Sequence, residues 1–239
     1  MSISRPPRPE KDPRRVREMF AAIAGGYDRL NRVLTFGQDR AWRREALNRL
    51  GAGTGDVVLD VGAGTGDLAI ELASLGTGCR VIACDFTAEM LALGRAREGA
   101  RSVDWVLADA QKLPFSPATF DRVVSGFLLR NLADLQGGLV EQARVLKGGG
   151  KAVWLDTSPL APGMLKPLLS VYMERIVPLL GGWLARDRPA YGYLSRTSAG
   201  FVPAARLAAH MIAAGFEQVN YVRRMLGVVA IHWGAKTKE

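Results

Sequence analysis

Hydrophobic and polar residues along the chain form alternating blocks with two different periods. Short apolar runs, typical of strands buried on both faces, lie at 56–63, 80–86, 103–109, 120–127 and 151–158. Amphipathic stretches with helical spacing lie between them, at 67–75, 87–98 and 132–146. Strands that alternate with helices predict an α/β fold with a doubly wound, mostly parallel sheet.

The last part of the chain breaks this alternation. Two apolar strands, at 215–224 and 228–236, are separated only by Met-Leu-Gly, which predicts an antiparallel hairpin. We therefore expect a seven-stranded, Rossmann-like sheet with an antiparallel last strand. Such a sheet differs from the plain dinucleotide-binding fold.

Two helical segments lie outside the alternation, at 14–50 and 160–202. We expect them to form a helical cap over the sheet edge that binds ligands, with an aromatic loop at 188–197. Gly25-Gly26 interrupts the apolar spacing of the first segment. Residues 1–13 are basic and rich in proline, which predicts a disordered tail, so the single domain is expected to span 14–239.

Charge and cysteine content narrow the function only slightly. A formal net charge of +9 suits nucleic acid, an anionic membrane or acidic small molecules alike. Cys79 and Cys84 lie in one apolar run without C-x-x-C spacing, which predicts reduced thiols in a cytoplasmic protein. The N-terminus does not have the pattern of a secretory signal. The most apolar stretch, 165–185, contains charges and prolines, which predicts a buried or interfacial helix rather than a membrane span.

A glycine-rich turn follows the first strand and carries Gly62, Gly64 and Gly66. Such a turn holds dinucleotides or S-adenosylmethionine, and the neighbouring charges distinguish the two. Asp67 lies in the first helical turn, where a dinucleotide places its pyrophosphate, and Asp60 adds a second carboxylate. Negative charge here favours S-adenosylmethionine, which carries a sulfonium and an ammonium group.

The next two strands also end on acids. The second ends on Asp85-Phe86, nineteen residues after Gly66, which places the carboxylate to accept hydrogen bonds from ribose hydroxyls. The third ends on Asp109-Ala110, which we expect to meet the adenine. Each acid alone is also compatible with a helix cap or a turn, but the ordered set favours the cofactor.

The fourth strand ends on Arg130 and Asn131, two polar residues after a buried apolar run. Because ligands bind at the carboxyl ends of such strands, a fixed guanidinium here is expected to act on a ligand. A structural ion pair of Arg130 with Asp28 or Asp156 is the alternative. His210 and His232 have no partner at metal-ligand spacing, so we predict no metal site.

Several motifs are similar to those of the ubiquinone/menaquinone biosynthesis C-methyltransferase family, whose demethylmenaquinone methyltransferases the chain resembles. They cover the chain from about residue 16 to its end and include F-A-A-I-A-G-G-Y-D-R-L-N (20–31), T-F-G-Q-D-R-A-W-R-R (35–44), L-D-V-G-A-G-T-G-D-L (59–68), A-D-A-Q-K-L-P-F (108–115), F-L-L-R-N-L (127–132), Y-L-S-R-T (193–197) and A-G-F-E-Q-V (214–219). The resemblance implies a class I enzyme that uses S-adenosylmethionine to methylate a ring carbon of a polyprenyl benzoquinol or naphthoquinol.

The resemblance also implies roles for individual residues. Cofactor contacts would be Thr65, Asp85, Asp109 and Ala110, with Gly126 where the family has a serine beside the cofactor. Arg130 and Asn131 would start the chemistry, with Tyr27 nearby. Leu128 replaces the usual glycine, and Arg196 replaces the usual glutamate, which leaves the identity of the acceptor open.

Methylation of an aromatic carbon needs electron density on that carbon, which a quinol supplies as its phenolate. The guanidinium of Arg130 stays charged, so we expect it to stabilise the phenolate rather than to act as the base. A water would then remove the proton, helped by Tyr27 or Asp156.

Other functions and partners stay open at this point. The acceptor can be another small aromatic metabolite, or the protein can bind the cofactor without catalysis. A nucleic-acid substrate is not expected, because neither an N/D-P-P-Y element nor a catalytic-cysteine element is present. A basic cluster is expected to reach anionic lipid at the inner face of the cytoplasmic membrane and comprises Arg14, Arg15, Arg17, Arg40, Arg43 and Arg44. A homodimer is left open.

Overall fold

The structure is a computed structural model that describes residues 11–159 and 188–238. The predicted tail at 1–13 and the apolar stretch at 165–185 therefore lie wholly or mostly outside the described residues. Among the described helices, none is both long and apolar enough to cross a membrane.

Seven strands form one sheet in the order β3-β2-β1-β4-β5-β7-β6. Their bounds are β1 Val57–Val61, β2 Arg80–Asp85, β3 Val103–Leu107, β4 Phe120–Gly126, β5 Leu146–Thr157, β6 Phe216–Arg224 and β7 Val229–Lys236. The pairs from β3 to β5 are parallel, whereas β7 runs antiparallel to both β5 and β6. The predicted seven-stranded fold with an antiparallel last strand is confirmed.

Seven helices belong to the described residues: α1 Pro13–Leu34, α2 Gln38–Leu50, α3 Asp67–Ser74, α4 Ala88–Arg95, α5 Leu135–Val145, α6 Arg188–Ala199 and α7 Ala204–Ala213. One face of the sheet packs on α5 and α7, where Trp154 of β5 is fully buried. The other face packs on α2 and α3 through Trp42 and Leu68. The sheet is thus covered on both sides, as a mostly parallel sheet requires.

Helix α1 begins at a sequence-encoded cap and continues past its two glycines. The Asp12 carboxylate accepts a hydrogen bond from the Arg14 N–H at 2.9 Å, and Pro13 occupies the first helical position. Gly25 and Gly26 lie inside the helix, although their spacing had suggested an interruption. Two glycines cost a helix about 2 kcal/mol, and burial of apolar side chains such as Val16 and Ile23 offsets this.

The prediction of an aromatic loop at 188–197 is wrong, because these residues belong to helix α6. It packs on α1, where Ala190 and Leu194 meet Ile23 in a small apolar cluster. This packing stabilises a helix whose glycine and aromatic content do not favour one. Helices α1, α2 and α6 contribute lining residues to the two spaces at the carboxyl edge of the sheet. A helical cap formed by 14–50 and 160–202 stays a prediction.

Candidate functional site

A pocket of about 900 Å3, including its opening to solvent, lies at the carboxyl edge of the sheet. Its floor is formed by the glycine turn after β1 and by the residues that end or follow β2, β3 and β4. Helices α1 and α2 form its roof. This is the edge at which open α/β sheets bind their ligands.

The glycine turn is shaped by close backbone contacts. The N–H groups of Gly62 and Ala63 donate to the Cys84 carbonyl of β2 at 2.8 and 2.9 Å. Gly62 has φ 70°, and a Cβ there would lie 2.7 Å from Cδ1 of Leu128. A side chain at Gly66 would collide with Trp105. The turn therefore needs glycine at both positions.

Asp85 lines the pocket beside Phe86 and organises the turn from below. Its carboxylate accepts hydrogen bonds from the N–H of Gly64 at 2.9 Å and of Thr87 at 2.8 Å. Burial raises the pKa of Asp85, while these backbone donors oppose the shift.

Asp60 lies at the end of β1 and is not among the residues that line the pocket. One carboxylate oxygen accepts a hydrogen bond from the Ala69 N–H at 3.1 Å, and the other, Oδ1, is buried and has no partner among the residues that the structure describes. Burial raises the pKa of Asp60 to about 7, against the opposing charge of Arg43. Gly66 is also not among the residues that line the pocket. Two of the predicted cofactor contacts, Asp60 and Gly66, therefore do not reach its surface.

The other predicted cofactor residues come together at the pocket. Those that line it are Gly62, Gly64, Thr65, Asp85, Phe86, Asp109, Ala110 and Gly126. Asp109 accepts a hydrogen bond from the Gln111 N–H at 2.9 Å, which fixes the turn after β3. The strand ends thus place these residues side by side, although they are far apart in sequence.

Helix α1 closes the pocket through Tyr27 and Asp28. The Thr65 hydroxyl donates to the Asp28 carboxylate at 2.8 Å, which joins α1 to the glycine turn. Arg97 lies 3.6 Å from Asp28 and 2.7 Å from Asp67. Burial and the nearby Asp67 charge raise the pKa of Asp28. Asp28 therefore pairs with the glycine turn and Arg97, not with Arg130.

Arg43 of α2 is 7 % exposed and lines the same pocket, so its predicted contact with lipid is wrong. Its guanidinium lies 3.3 Å from Asp67 and 3.8 Å from Asp39. Burial alone would raise the pKa of Asp67, but the charges of Arg43 and Arg97 outweigh it and lower that pKa. Asp67 is therefore an ion-paired carboxylate.

A second, mostly apolar cavity of about 750 Å3 adjoins the pocket. Its lining includes Asn31 and Leu34 of α1, Arg130, Thr157 at the end of β5 and Leu194 of α6. Phe127 lines both spaces and forms the wall between them. Its backbone has φ 60°, an unfavourable conformation for an aromatic residue.

Arg130 is buried in an ion pair with Asp156. Its Nη1 donates to Asp156 Oδ1 at 2.7 Å, and its backbone N–H donates to Oδ2 at 3.2 Å. Burial opposes the charged form, but Asp156, Tyr27 and Tyr193 together raise the pKa of Arg130. The guanidinium also lies 5.1 Å from the Phe127 ring. The predicted alternative of an ion pair with Asp156 is thus present. Among the described residues, no hydrogen-bond partner meets the buried Nε of Arg130.

Asn131 faces the first pocket, whereas Arg130 faces the second cavity. The Asn131 side-chain amide donates to the Phe127 carbonyl at 3.1 Å, and its Oδ1 is buried without a partner from 11–159 or 188–238. The two residues predicted to act together are therefore placed on different sides of the Phe127 wall.

Residues 9–236 match the ubiE/COQ5 methyltransferase family. The chain belongs to that family. It is 42 % identical over 221 residues to a protein of Desulfotalea psychrophila named ubiquinone/menaquinone biosynthesis C-methyltransferase, covering 92 % of this chain and 90 % of that one. It is 40 % identical to a demethylmenaquinone methyltransferase of Mycobacterium sp. (strain JLS), covering 95 % and 96 %. The predicted ubiE/COQ5 resemblance, and with it the methyltransferase class, is confirmed.

A solved structure shares the fold of this ubiE/COQ5 family member at low identity. It is Haemonchus contortus phosphoethanolamine N-methyltransferase 2 in complex with phosphomonomethylethanolamine and S-adenosylhomocysteine, with a TM-score of 0.64 and 17 % identity. The match covers 83 % of this chain and 53 % of that one, so the chain spans about half of that longer protein.

The residues at the pocket fit S-adenosylmethionine, the cofactor predicted for this ubiE/COQ5 methyltransferase. Its lining includes the carboxylates of Asp28, Asp67, Asp85 and Asp109, which suit a ligand with two positive charges. Because glycine has no side chain, a ligand can approach the backbone of the glycine turn closely. Within the described ranges, no group of His, Cys, Asp and Glu side chains could hold a metal ion.

Sequence reasoning missed three charged residues of this site: Asp28 and Arg97, which join α1 to the glycine turn, and Arg43. The helical spacing of the sequence could have indicated that Arg43 faces inward. It lies three and seven residues before the buried Ala46 and Leu50, on the inward face of α2. Its neighbours Arg40 and Arg44 are exposed.

Proposed function

We propose that the protein transfers the methyl group of S-adenosylmethionine to a ring carbon of a polyprenyl quinol, either a demethylmenaquinol or a ubiquinol precursor. Family membership and the names of the relatives support this reaction class. The observation that carries the proposal is the second cavity. It is mostly apolar, it is lined by the buried Arg130, and it shares Phe127 with the lining of the first pocket.

The first pocket would hold the cofactor. Asp85 would accept hydrogen bonds from the ribose hydroxyls, and Asp109 with Ala110 would meet the adenine. The backbone of the glycine turn and Thr65 would contact the rest of the molecule. S-adenosylmethionine, when bound, supplies an electrophilic methyl group on its sulfonium.

Arg130 would stabilise the phenolate of the acceptor in the second cavity. Its raised pKa keeps the guanidinium charged throughout the physiological range, so it cannot take the proton itself. Asp156 engages Nη1, and Nε has no partner in the described parts of the chain, so a donor would be available for the phenolate oxygen. A charge held in a buried site stabilises the phenolate more strongly than it would in water.

The hydroxyl proton of the acceptor needs a separate route. Asp156 already accepts hydrogen bonds from Arg130 and from the Thr157 N–H at 2.7 Å, which leaves it little capacity as a base. A water is the better acceptor. Tyr27 and Asn131 line the first pocket, so they would orient this water or the hydroxyl where the acceptor ring extends past Phe127 toward the methyl donor. Once the methyl group is attached, the ring carbon loses its hydrogen as a proton, which restores the aromatic ring.

A second candidate acceptor is another small aromatic metabolite. Leu128 favours it, because this side chain packs directly over Gly62 and narrows the pocket where donor and acceptor would meet. A smaller ring would be restricted less by Leu128 than a substituted quinol.

We also propose a peripheral contact with anionic membrane, since a polyprenyl acceptor resides in the bilayer. Arg14 and Arg17 of α1 and Arg40 of α2 are exposed near the roof of the site. Arg44 is exposed too, but lies 3.1 Å from Glu71. Each exposed arginine contributes about 1 kcal/mol near an anionic surface. A homodimer stays a prediction.

The experiment is incubation with labelled S-adenosylmethionine and a panel of short-chain benzoquinols, naphthoquinols and simple phenols under reducing conditions. Mass spectrometry of the products would locate the new methyl group. A ring-methylated quinol is expected. Methylation of phenols alone would favour the second candidate. Cofactor binding without any transfer would favour a non-catalytic cofactor-binding protein.

A further inference from the structure

Arg43 is a buried cation among the carboxylates of the first pocket. Among the described residues that line this pocket, it is the one side chain with a positive charge, opposite Asp28, Asp67, Asp85 and Asp109. An arginine held at 7 % exposure in such a place is costly unless it has a ligand or full ion pairing.

The ion pairs of Arg43 leave much of its guanidinium unused. Nη2 lies 3.3 Å from Asp67 and Nε lies 3.8 Å from Asp39, both longer than a charge-assisted hydrogen bond of about 2.8 Å. Nε is buried without a hydrogen-bond partner in the part of the chain that is described. A guanidinium has five N–H donors, so donors remain for one more anionic group.

The position of Arg43 is fixed from two other sides. The guanidinium lies 5.5 Å from the centre of the Phe127 ring, within cation–π range. Nη1 lies 3.6 Å from the point where a Cβ on Gly126 would be, so the bare strand end leaves room for it. The charge is thus held at the end of β4, above the floor of the pocket.

The order of the strands gives the orientation of a bound nucleoside. Asp85 ends β2 and Asp109 follows β3, on one side of β1, whereas Gly126 ends β4 on the other side. A ligand whose ribose meets Asp85 and whose base meets Asp109 therefore directs its remaining part across the glycine turn toward β4. That part reaches the position of Arg43.

We infer that Arg43 binds the carboxylate of the amino-acid part of the methyl donor, which makes it a cofactor-binding residue of this enzyme. The inference rests on the proposed function, because it takes S-adenosylmethionine as the ligand. A carboxylate matches the planar donors of a guanidinium. In this orientation, the carboxylates of the pocket would lie near the ammonium and sulfonium groups of the ligand. Arg43, the one positively charged side chain among the described lining residues, would lie near the ligand's one anionic group.

The test compares two ligands that differ only in this carboxylate: S-adenosylhomocysteine and its decarboxylated analogue. Isothermal titration calorimetry gives a dissociation constant for each with the wild type, Arg43→Met and Arg43→Lys. The wild type should bind S-adenosylhomocysteine about 10- to 100-fold more tightly than the analogue, as expected for a charge-assisted contact. Arg43→Met should reduce this preference to about threefold or less, and Arg43→Lys should keep part of it.

Two control variants separate recognition from folding. Arg44→Gln changes the neighbouring, exposed arginine and should keep the wild-type preference. Arg97→Gln weakens the same ion-pair network at Asp67 without lining the pocket, and should change both affinities by the same factor. Because the readout is a ratio of two affinities in one protein, a general loss of stability does not produce the expected result.

Three outcomes would overturn the inference. If the wild type binds both ligands equally, or if Arg43→Met keeps the preference, Arg43 does not hold the carboxylate, while S-adenosylmethionine remains the cofactor. If the wild type binds neither ligand, the proposed function fails and the inference fails with it. The inference is supported if Arg43→Met loses the preference for S-adenosylhomocysteine and both control variants keep it.

Discussion

Arg130 shows how one buried charge can serve both structure and chemistry. Asp156 neutralises it at 2.7 Å and fixes its direction, while Phe127 lies against its face at 5.1 Å. Removal of either partner of a buried pair costs about 3–5 kcal/mol, because the other charge is left alone. The guanidinium keeps one unused donor, Nε, which is what a developing phenolate requires.

Replacement of Arg130 is expected to affect turnover more than binding. Arg130→Gln should lower kcat about 100-fold or more with a small change in KM, and Arg130→Lys should lose less, because a lysine still carries the charge. The rise of kcat with pH should move to higher pH in Arg130→Gln, since the phenolate is no longer stabilised. Arg80→Gln, at the exposed pair with Asp104, is the control in the same pH–rate measurement. A near-normal kcat in a folded Arg130→Gln would assign Arg130 to structure alone.

Asp60 is expected to make the protein less stable as the pH rises from about 4 to about 7. Its folded-state pKa is about 7 against an ordinary 3.8, so the native state keeps a proton that the unfolded chain releases. The free energy of unfolding then falls across this window, by on the order of 4 kcal/mol.

Asp60→Asn tests this, because the amide keeps an oxygen for the Ala69 N–H and does not titrate. Urea unfolding without ligand at pH 4.5 and 7.5 should show the variant gaining stability relative to the wild type at the higher pH. The same difference between the two proteins at both pH values would contradict a raised pKa of Asp60.

The residues that sequence reasoning located are those whose position follows from the ends of buried strands. Asp85, Asp109 and Asn131 each follow an apolar run, and the topology alone brings them to one edge. The partner of a charge does not follow from such a pattern. Whether Arg130 meets Asp28 or Asp156 depends on the packing of α1, and both possibilities fit the sequence.

Helix α1 is the element that converts an open sheet edge into a closed pocket. The hydrogen bond from Thr65 to Asp28 and the ion pair of Asp28 with Arg97 join it to the glycine turn. Partly exposed polar contacts of this kind break more easily than the packing of the core. Departure of the spent cofactor is therefore expected to follow the opening of α1.

Thr65→Val should release α1 from the glycine turn. Removal of the hydroxyl leaves the partly buried Asp28 without its 2.8 Å donor, which costs about 1 kcal/mol. Hydrogen exchange in 13–34 should become faster, and S-adenosylhomocysteine should dissociate about tenfold faster in stopped-flow measurements. Arg29→Gln, at an exposed position of the same helix, is the control. Unchanged exchange in α1 of Thr65→Val would exclude this role.

The helices were harder to predict from the sequence than the strands. Gly25 and Gly26 suggested an interruption, and the glycine and aromatic residues of α6 suggested a loop, because local propensity disfavours a helix in both places. Both segments are helical because α1 and α6 bury apolar side chains against each other through Ile23 and Leu194. Such contacts between distant segments are not visible in local spacing.

For the whole molecule, the central feature is the pair of adjoining cavities on one side of the sheet. One has the charges that suit S-adenosylmethionine, and the other is mostly apolar, with two buried charged side chains, Arg130 and Asp39, among its described lining residues. Phe127, in a left-handed conformation at the end of β4, forms the wall between them. The methyl donor and the acceptor would therefore meet at this strained residue.

The exposed basic surface of α1 and α2 is expected to bind anionic membrane. The triple variant Arg14→Gln, Arg17→Gln and Arg40→Gln should lower the partition coefficient for vesicles of anionic lipid about 100-fold, at about 1 kcal/mol per arginine. Kinetics with a water-soluble short-chain quinol should stay unchanged. Sedimentation with anionic and with neutral vesicles measures the difference. Equal binding by the triple variant would remove these arginines from the contact.

The most direct test of the account is the fate of a labelled methyl group. The wild type is incubated with S-adenosylmethionine carrying a 13C-methyl group and a reduced short-chain demethylmenaquinol, and the product is examined by NMR. The account predicts a 13C-methyl group on the ring carbon beside a hydroxyl, and at least 100-fold less of this product with Arg130→Gln. A 13C-methyl group on oxygen, or no transfer to any quinol by a protein that binds S-adenosylhomocysteine, would contradict it.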